Sequence, residues 1–148
     1  MKDEIKRALA TMLAPYQGVF HSLRVSDDMD PRIIEVKGRS KAEDQHGFLM
    51  LRVVVLDDAH QVQIPNIIKP QPLTERGFGR RLIATVYEAA KTGGYDLFIV
   101  DMVPGFYRRM LEWGAAGIDE ETVQVTDSTR LVEAPAVVRA IEKLGASD

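Results

Sequence analysis

The 148 residues contain no cysteine, which excludes disulfides, thiolate metal sites and a cysteine nucleophile. The chain carries little charge of either sign in excess, with a net charge of −3, and its basic residues are scattered, so nucleic acid is not an expected partner. Long apolar runs are also missing. Met1 to Arg7 lack a signal-peptide core and no stretch is long enough to cross a bilayer, so the expectation is a cytoplasmic protein without a membrane partner. No serine sits in a Gly-x-Ser-x-Gly turn, which removes that hydrolase class. His21 and His46 lie in separate segments without a second ligand at metal spacing, and no metal site is expected. Repeats and low-complexity tracts are absent, and a length of 148 with 45% hydrophobic residues suits one domain over the whole chain.

What is present reads as alternating elements. Ile5, Leu9, Met12 and Leu13 recur at helical spacing until Pro15, predicting a helix over about 3–14. Strand-like runs follow at about 19–25, 33–37, 48–56 and 61–68, separated by polar turns, an antiparallel meander. Asp57 and Asp58 fall in a hairpin turn, with His60 opening the next strand. A helix at about 79–92 aligns Leu82, Ile83, Val86, Tyr87 and Ala90 on one face, and Leu97-Phe98-Ile99-Val100 has the continuous apolar character of a strand covered on both sides. A late strand or hairpin is expected within 120–132, and Pro135 opens a final helix carrying Val137, Val138, Ile141 and Leu144. The predicted fold is mixed α/β, with a mostly antiparallel central sheet and a β-α-β unit.

The most informative segment is Leu73-Thr74-Glu75-Arg76-Gly77-Phe78-Gly79-Arg80-Arg81-Leu82-Ile83, a glycine-rich turn entering a helix. Glycines at 77 and 79 permit positive φ and close backbone approach, while the first helical turn offers unpaired N–H groups and the positive end of the dipole. Arg76, Arg80 and Arg81 add positive charge. A Gly-x-Gly pair alone is most often an ordinary turn. The segment lacks the Gly-Lys-Ser/Thr ending of a nucleoside triphosphate loop and the third glycine of a dinucleotide fingerprint, so a different anion is implied.

After that helix come Gly93-Gly94-Tyr95-Asp96, the apolar strand to Asp101, and Pro104-Gly105-Phe106-Tyr107-Arg108-Arg109-Met110-Leu111-Glu112-Trp113-Gly114. A strand, an Arg-Gly-x-Gly-x-x-Leu helix, a Gly-Tyr turn, a hydrophobic strand and a Phe-Tyr helix ending in Trp-Gly together resemble the GNAT superfamily of N-acetyltransferases, over about residues 48–131. The resemblance implies an acyl-CoA N-acyltransferase-like β-α-β core with a reduced N-terminal part, and acetyl-CoA as co-substrate. It implies pyrophosphate held by the amides of Gly77, Phe78, Gly79 and Arg80. It also implies phosphates neutralised by Arg76, Arg80 and Arg81, and the pantetheine arm held by the backbone at Ile67 and Ile68. The acceptor it implies is a small-molecule or peptide amine. It implies, too, that the tyrosine opening the helix after the apolar strand, matched by Tyr107, serves as general acid. Thr74 stands where the family usually has Gln or Arg, and Glu75 brings a carboxylate into the cradle. Pro70 and Pro72 lengthen the connection into it.

Acetyl transfer needs a deprotonated amine, a polarised thioester carbonyl and a proton for the departing thiolate. Tyr107 is the candidate acid, with a packing role as its plain alternative. Asp101, at the end of the buried strand, either relays a proton or caps a turn. Gln61 and Gln63 occupy the strand expected to carry a glutamate base, so a bound water takes that part. Phe106, Met110 and Trp113 sit at core spacing. Two functions follow: an acetyl-CoA-dependent N-acetyltransferase, and a non-catalytic module that keeps the fold for binding. The missing N-terminal elements make a homodimer the expected assembly.

Overall fold

The computed structural model describes residues 1–43, 46–67 and 77–131. The expected final helix after Pro135 lies outside the described residues. So do Thr74, Glu75, Pro70 and Pro72.

Helix α1 (Lys2–Leu13) forms because Ile5, Leu9 and Leu13 repeat at i, i+4 and i+8, and all three are fully buried. Asp3 and Glu4 lie in its first turn, where negative charge suits the helix dipole. Pro15 opens a 3-10 segment, Ala14–Val19. That segment is why the first strand begins at Ser22 and not at Val19, which remains exposed. Lys2 and Lys6 both pair with Asp27, at 2.9 and 3.2 Å, tying α1 to the turn after the first strand.

Strands β1 (Ser22–Ser26), β2 (Ile33–Arg39), β3 (Phe48–Leu56) and β4 (Gln61–Ile67) form the antiparallel meander. Helix α2 (Phe78–Thr92) carries the chain across to β5 (Asp96–Ile99), which pairs parallel with β4. Helix α3 (Pro104–Glu112) leads to β6 (Ala116–Gly117) and β7 (Val123–Val125). These two form a hairpin, one of the two forms expected, with its first arm at Ala116–Gly117, ahead of the expected 120–132. The sheet order is β1-β2-β3-β4-β5-β7-β6. One α-helix and one 3-10 segment precede the meander, and among the described residues it contains only the short 3-10 turn Asp57–Ala59.

Register assigns the faces. Ile34, Val53, Val55, Val62, Ile64, Leu97, Ile99, Val123 and Val125 are buried and lie on one face, because residues paired across strands point the same way. Leu82, Ile83, Val86 and Ala90 of α2 complete the same core. The other face carries Glu35, Arg52, Gln63, Asn66, Phe98 and Gln124. Among the described residues, α1, α2 and α3 all lie on the core side.

Candidate active site

Two strands part at the centre of the sheet. The β4–β5 ladder ends at Ile64 and Ile99, closed by the Val100 N–H donating to Ile64 C=O at 3.1 Å. Beyond it β4 continues through Pro65, Asn66 and Ile67, still paired with β3, while the other chain turns away at Asp101, whose φ is +54°. A β-bulge sits at this point: Val54 pairs with Gln63 and Arg52 with Asn66, so Val53 alone faces Ile64 and Pro65. Pro65 has no N–H for a ladder, which is why a strand interior holds it only where pairing is already broken. The sequence reading passed over Pro65, although a proline inside Gln61–Ile67 was the signal for it.

Because α2 is the crossover from β4 to β5, its first turn lies at the end where the strands part. Gly77, with φ +79°, caps the helix, a conformation that costs a residue with a β-carbon about 1–2 kcal/mol. The first helical bond runs from Arg81 N–H to Gly77 C=O at 2.9 Å, so the amides of Phe78, Gly79 and Arg80 have no acceptor within the helix. A β-carbon built on Gly79 meets nothing within 4 Å. Among the described residues the helix surface at Gly79 is therefore open, and a first turn with such amides suits an anion.

The side chains around this turn are anchored to the rest of the protein. Phe78 is fully buried and meets Tyr16 edge-on, with ring centroids 5.1 Å apart, so only its amide faces the opening. Arg81 donates to the Tyr16 hydroxyl and lies 5.7 Å from that ring. The Arg80 guanidinium stacks 3.7 Å above the Trp113 ring. Tyr16 and Trp113 thus hold the glycine corner in place, and no spacing in the sequence links either to residue 78 or 80. Ile67, half-buried at the end of β4, packs against the core. Ile68 and Arg76 lie outside the described residues.

Tyr107 sits in the first half of α3. Its hydroxyl lies against Gly117 of β6, where a β-carbon would come within 2.9 Å of the oxygen. The ring also lines a cavity of about 390 Å³ with Met102, Pro104, Arg108, Leu111, Glu120 and Glu121. Asp101 is exposed at the turn between β5 and α3, three residues before the helix that carries Tyr107. No group of three or more metal-binding side chains occurs among the described residues, and none of their helices is long and apolar enough to cross a membrane.

On the opposite face, Glu35 is only 3% exposed. Arg52 donates to its Oε2 through Nε at 3.0 Å and Nη2 at 2.7 Å, and Lys37 Nζ lies 3.4 Å from Oε1. Burial pushes the Glu35 carboxyl up, but the arginine hydrogen bond and the two positive charges outweigh it and leave the carboxyl below its ordinary value. A carboxylate held in that state is a poor proton acceptor. Neither Glu35 nor Arg52 was singled out from sequence, because a charged residue in an alternating strand normally reads as a solvated position.

No protein-family description matches the chain, and no curated protein matches it in sequence. Among solved structures it is similar to a protein from Agrobacterium tumefaciens provisionally described as an acetyltransferase, at 16% identity and a TM-score of 0.37, over 82% of this chain and 88% of that one. A likeness that distant carries no functional argument, and the geometry has to supply one.

Proposed function

We propose that the chain is an acetyl-CoA-dependent N-acetyltransferase of GNAT type acting on an amine. One observation carries the reading. The β4–β5 ladder opens after Ile64 and Ile99, at the same end as the α2 first turn, where a β-carbon on Gly79 would meet nothing within 4 Å among the described residues. Crevices outside the carboxyl ends of parallel strands, next to a helix N-terminus, suit phosphorylated ligands.

Bound acetyl-CoA supplies an activated acyl group and a thiolate leaving group. The amides of Phe78, Gly79 and Arg80 hold its pyrophosphate. The backbone of Pro65, Asn66 and Ile67, released from β5, offers hydrogen bonds to the pantetheine arm. In the transfer, the amine nitrogen forms a bond to the acyl carbon as the carbon–sulfur bond breaks. A bound water takes the amine proton, and Tyr107 gives its phenolic proton to the departing sulfur. Asp101, exposed beside the α3 entrance, passes a solvent proton back to the Tyr107 phenolate and so restores the acid.

A second reading has its own support. The Tyr107 hydroxyl rests against Gly117, and Arg80 and Arg81 are engaged with Trp113 and Tyr16, which suits a module that binds CoA or a partner without transfer. Mixing the protein with acetyl-CoA and a panel of primary amines, and following release of free thiol, separates the two. Amine-dependent thiol release supports the enzyme. Binding of acetyl-CoA with no release above the no-protein rate for any amine supports the module.

A further inference from the structure

On the face of the sheet away from the helices, four polar residues stand in register across four strands: Ser26, Glu35, Arg52 and Asn66. At the centre, Glu35 is 3% exposed while the Arg52 side chain above it is 34% exposed. Burying a carboxylate is costly unless it is paired, and here two cations, Arg52 and Lys37, converge on it. The trio carries one net positive charge. Arg52 spends Nε and Nη2 on Glu35. The carboxylate beneath therefore orients a partly exposed guanidinium whose Nη1 is not used by Glu35, and a guanidinium so held suits recognition of a second carboxylate.

Its place in the fold gives it a target. Arg52 pairs with Asn66, which lies on β4 beyond the last β5 contact, at the mouth of the opening. The phosphate-binding turn approaches that opening from the helix side, and among the described residues no helix lies on the other face, from which the acceptor would enter. Adjacent strands lie about 4.8 Å apart, which puts Arg52 roughly 5–10 Å from the opening. We propose that Arg52, oriented by Glu35, anchors a carboxylate on the acceptor, so that the substrate class is an amine bearing a carboxylate several bonds away, as in an ω-amino acid. The inference rests on the transferase reading above and specifies the acceptor for that same site.

The test uses matched substrates with the full-length protein: 6-aminohexanoate, its carboxamide, and hexylamine, each with saturating acetyl-CoA. The expected result is a kcat/KM for 6-aminohexanoate at least about tenfold above the other two, the scale of one lost charge-assisted pair. Arg52→Gln should raise KM for 6-aminohexanoate by at least about tenfold with a smaller change in kcat, leave the carboxamide and hexylamine unchanged, and leave acetyl-CoA affinity unchanged. Arg52→Lys should recover part of the preference. Equal rates for the three substrates in the wild type overturn the anchor whether or not Arg52→Gln folds, as does an equal loss on all three in the variant. Acetylation of other amines but of none of these overturns the anchor while the transferase reading stands. Absence of acetyl-CoA binding, or of transfer to any amine, overturns the transferase reading and the anchor with it.

Discussion

The Tyr107 hydroxyl packs so closely on Gly117 that a β-carbon at 117 would lie 2.9 Å from it. That contact restricts the phenol, and the transferase reading requires that the phenol still reach the departing sulfur, whereas the module reading does not. Tyr107→Phe should lower kcat by about 10²-fold, within the usual range for a general acid, with acetyl-CoA affinity unchanged. Gly117→Ala should displace the ring and reproduce part of that loss. Steady-state kinetics on an accepted amine checks both, and an unchanged kcat in Tyr107→Phe refutes the acid.

Gly77 and Gly79 should respond differently to alanine. Gly77 has φ +79°, so Gly77→Ala should destabilise by about 1–2 kcal/mol. Gly79 lies in the first turn of α2, where a β-carbon would meet nothing within 4 Å among the described residues, and Gly79→Ala should stabilise by up to about 1 kcal/mol. The added methyl intrudes on the proposed phosphate site, so the same variant should bind acetyl-CoA more weakly. Urea melts together with calorimetry test this pairing, and a stabilised Gly79→Ala with unaltered affinity would place the phosphates elsewhere.

Glu35 predicts a specific sensitivity to acid. Its folded-state carboxyl is held below the ordinary value of about 4.3 by Arg52 and Lys37 despite burial. Its contribution is therefore present above the unfolded value and lost as pH falls through the folded one. Glu35→Gln should lose about 1–3 kcal/mol at neutral pH, less than for a fully buried pair because Arg52 is 34% exposed. The gap between variant and wild type should narrow below about pH 4. Chemical denaturation at several pH values measures it, and a gap that stays constant down to pH 3 contradicts the role of the charge.

Tyr87 makes the alkaline counterpart. Burial, with a hydrogen bond to Asp127, pushes its phenol up to about 12. A raised value means the contribution is whole below the ordinary value near 10 and is lost as pH rises toward 12. Tyr87→Phe should therefore differ most from wild type below pH 10 and least above pH 12. An ultraviolet titration of wild type and variant identifies the late-titrating phenol, and its persistence in the variant would assign it to another tyrosine.

Most of the framework could be read from residue patterns, because burial sets them directly. The i, i+4 repeat of Ile5, Leu9 and Leu13 gave α1, and the unbroken Leu97–Val100 run gave a strand inside the sheet. Boundaries slipped where local chemistry won: Pro15 wound Ala14–Val19 into a 3-10 segment, and the expected late strand or hairpin took the hairpin form, with its first arm already at Ala116–Gly117. At the site, Gly77 and Gly79 were visible because turn chemistry is local. Their supports were not, since Tyr16 and Trp113 reach Arg81 and Arg80 only after folding. The Glu35–Arg52 pair was equally hidden, 17 residues apart on neighbouring strands. Pro65 was legible as a break in β4, yet its meaning depended on β5 ending opposite it.

The central claim is that the opening after Ile64 and Ile99, with the amides from Phe78 to Arg80, binds acetyl-CoA. Isothermal titration of the protein with acetyl-CoA and with CoA tests it before any acceptor is known. The account predicts micromolar binding of one equivalent, abolished in Gly77→Glu, where a carboxylate and a strained cap replace the glycine. No measurable heat at millimolar cofactor, or binding that Gly77→Glu leaves intact, would contradict it.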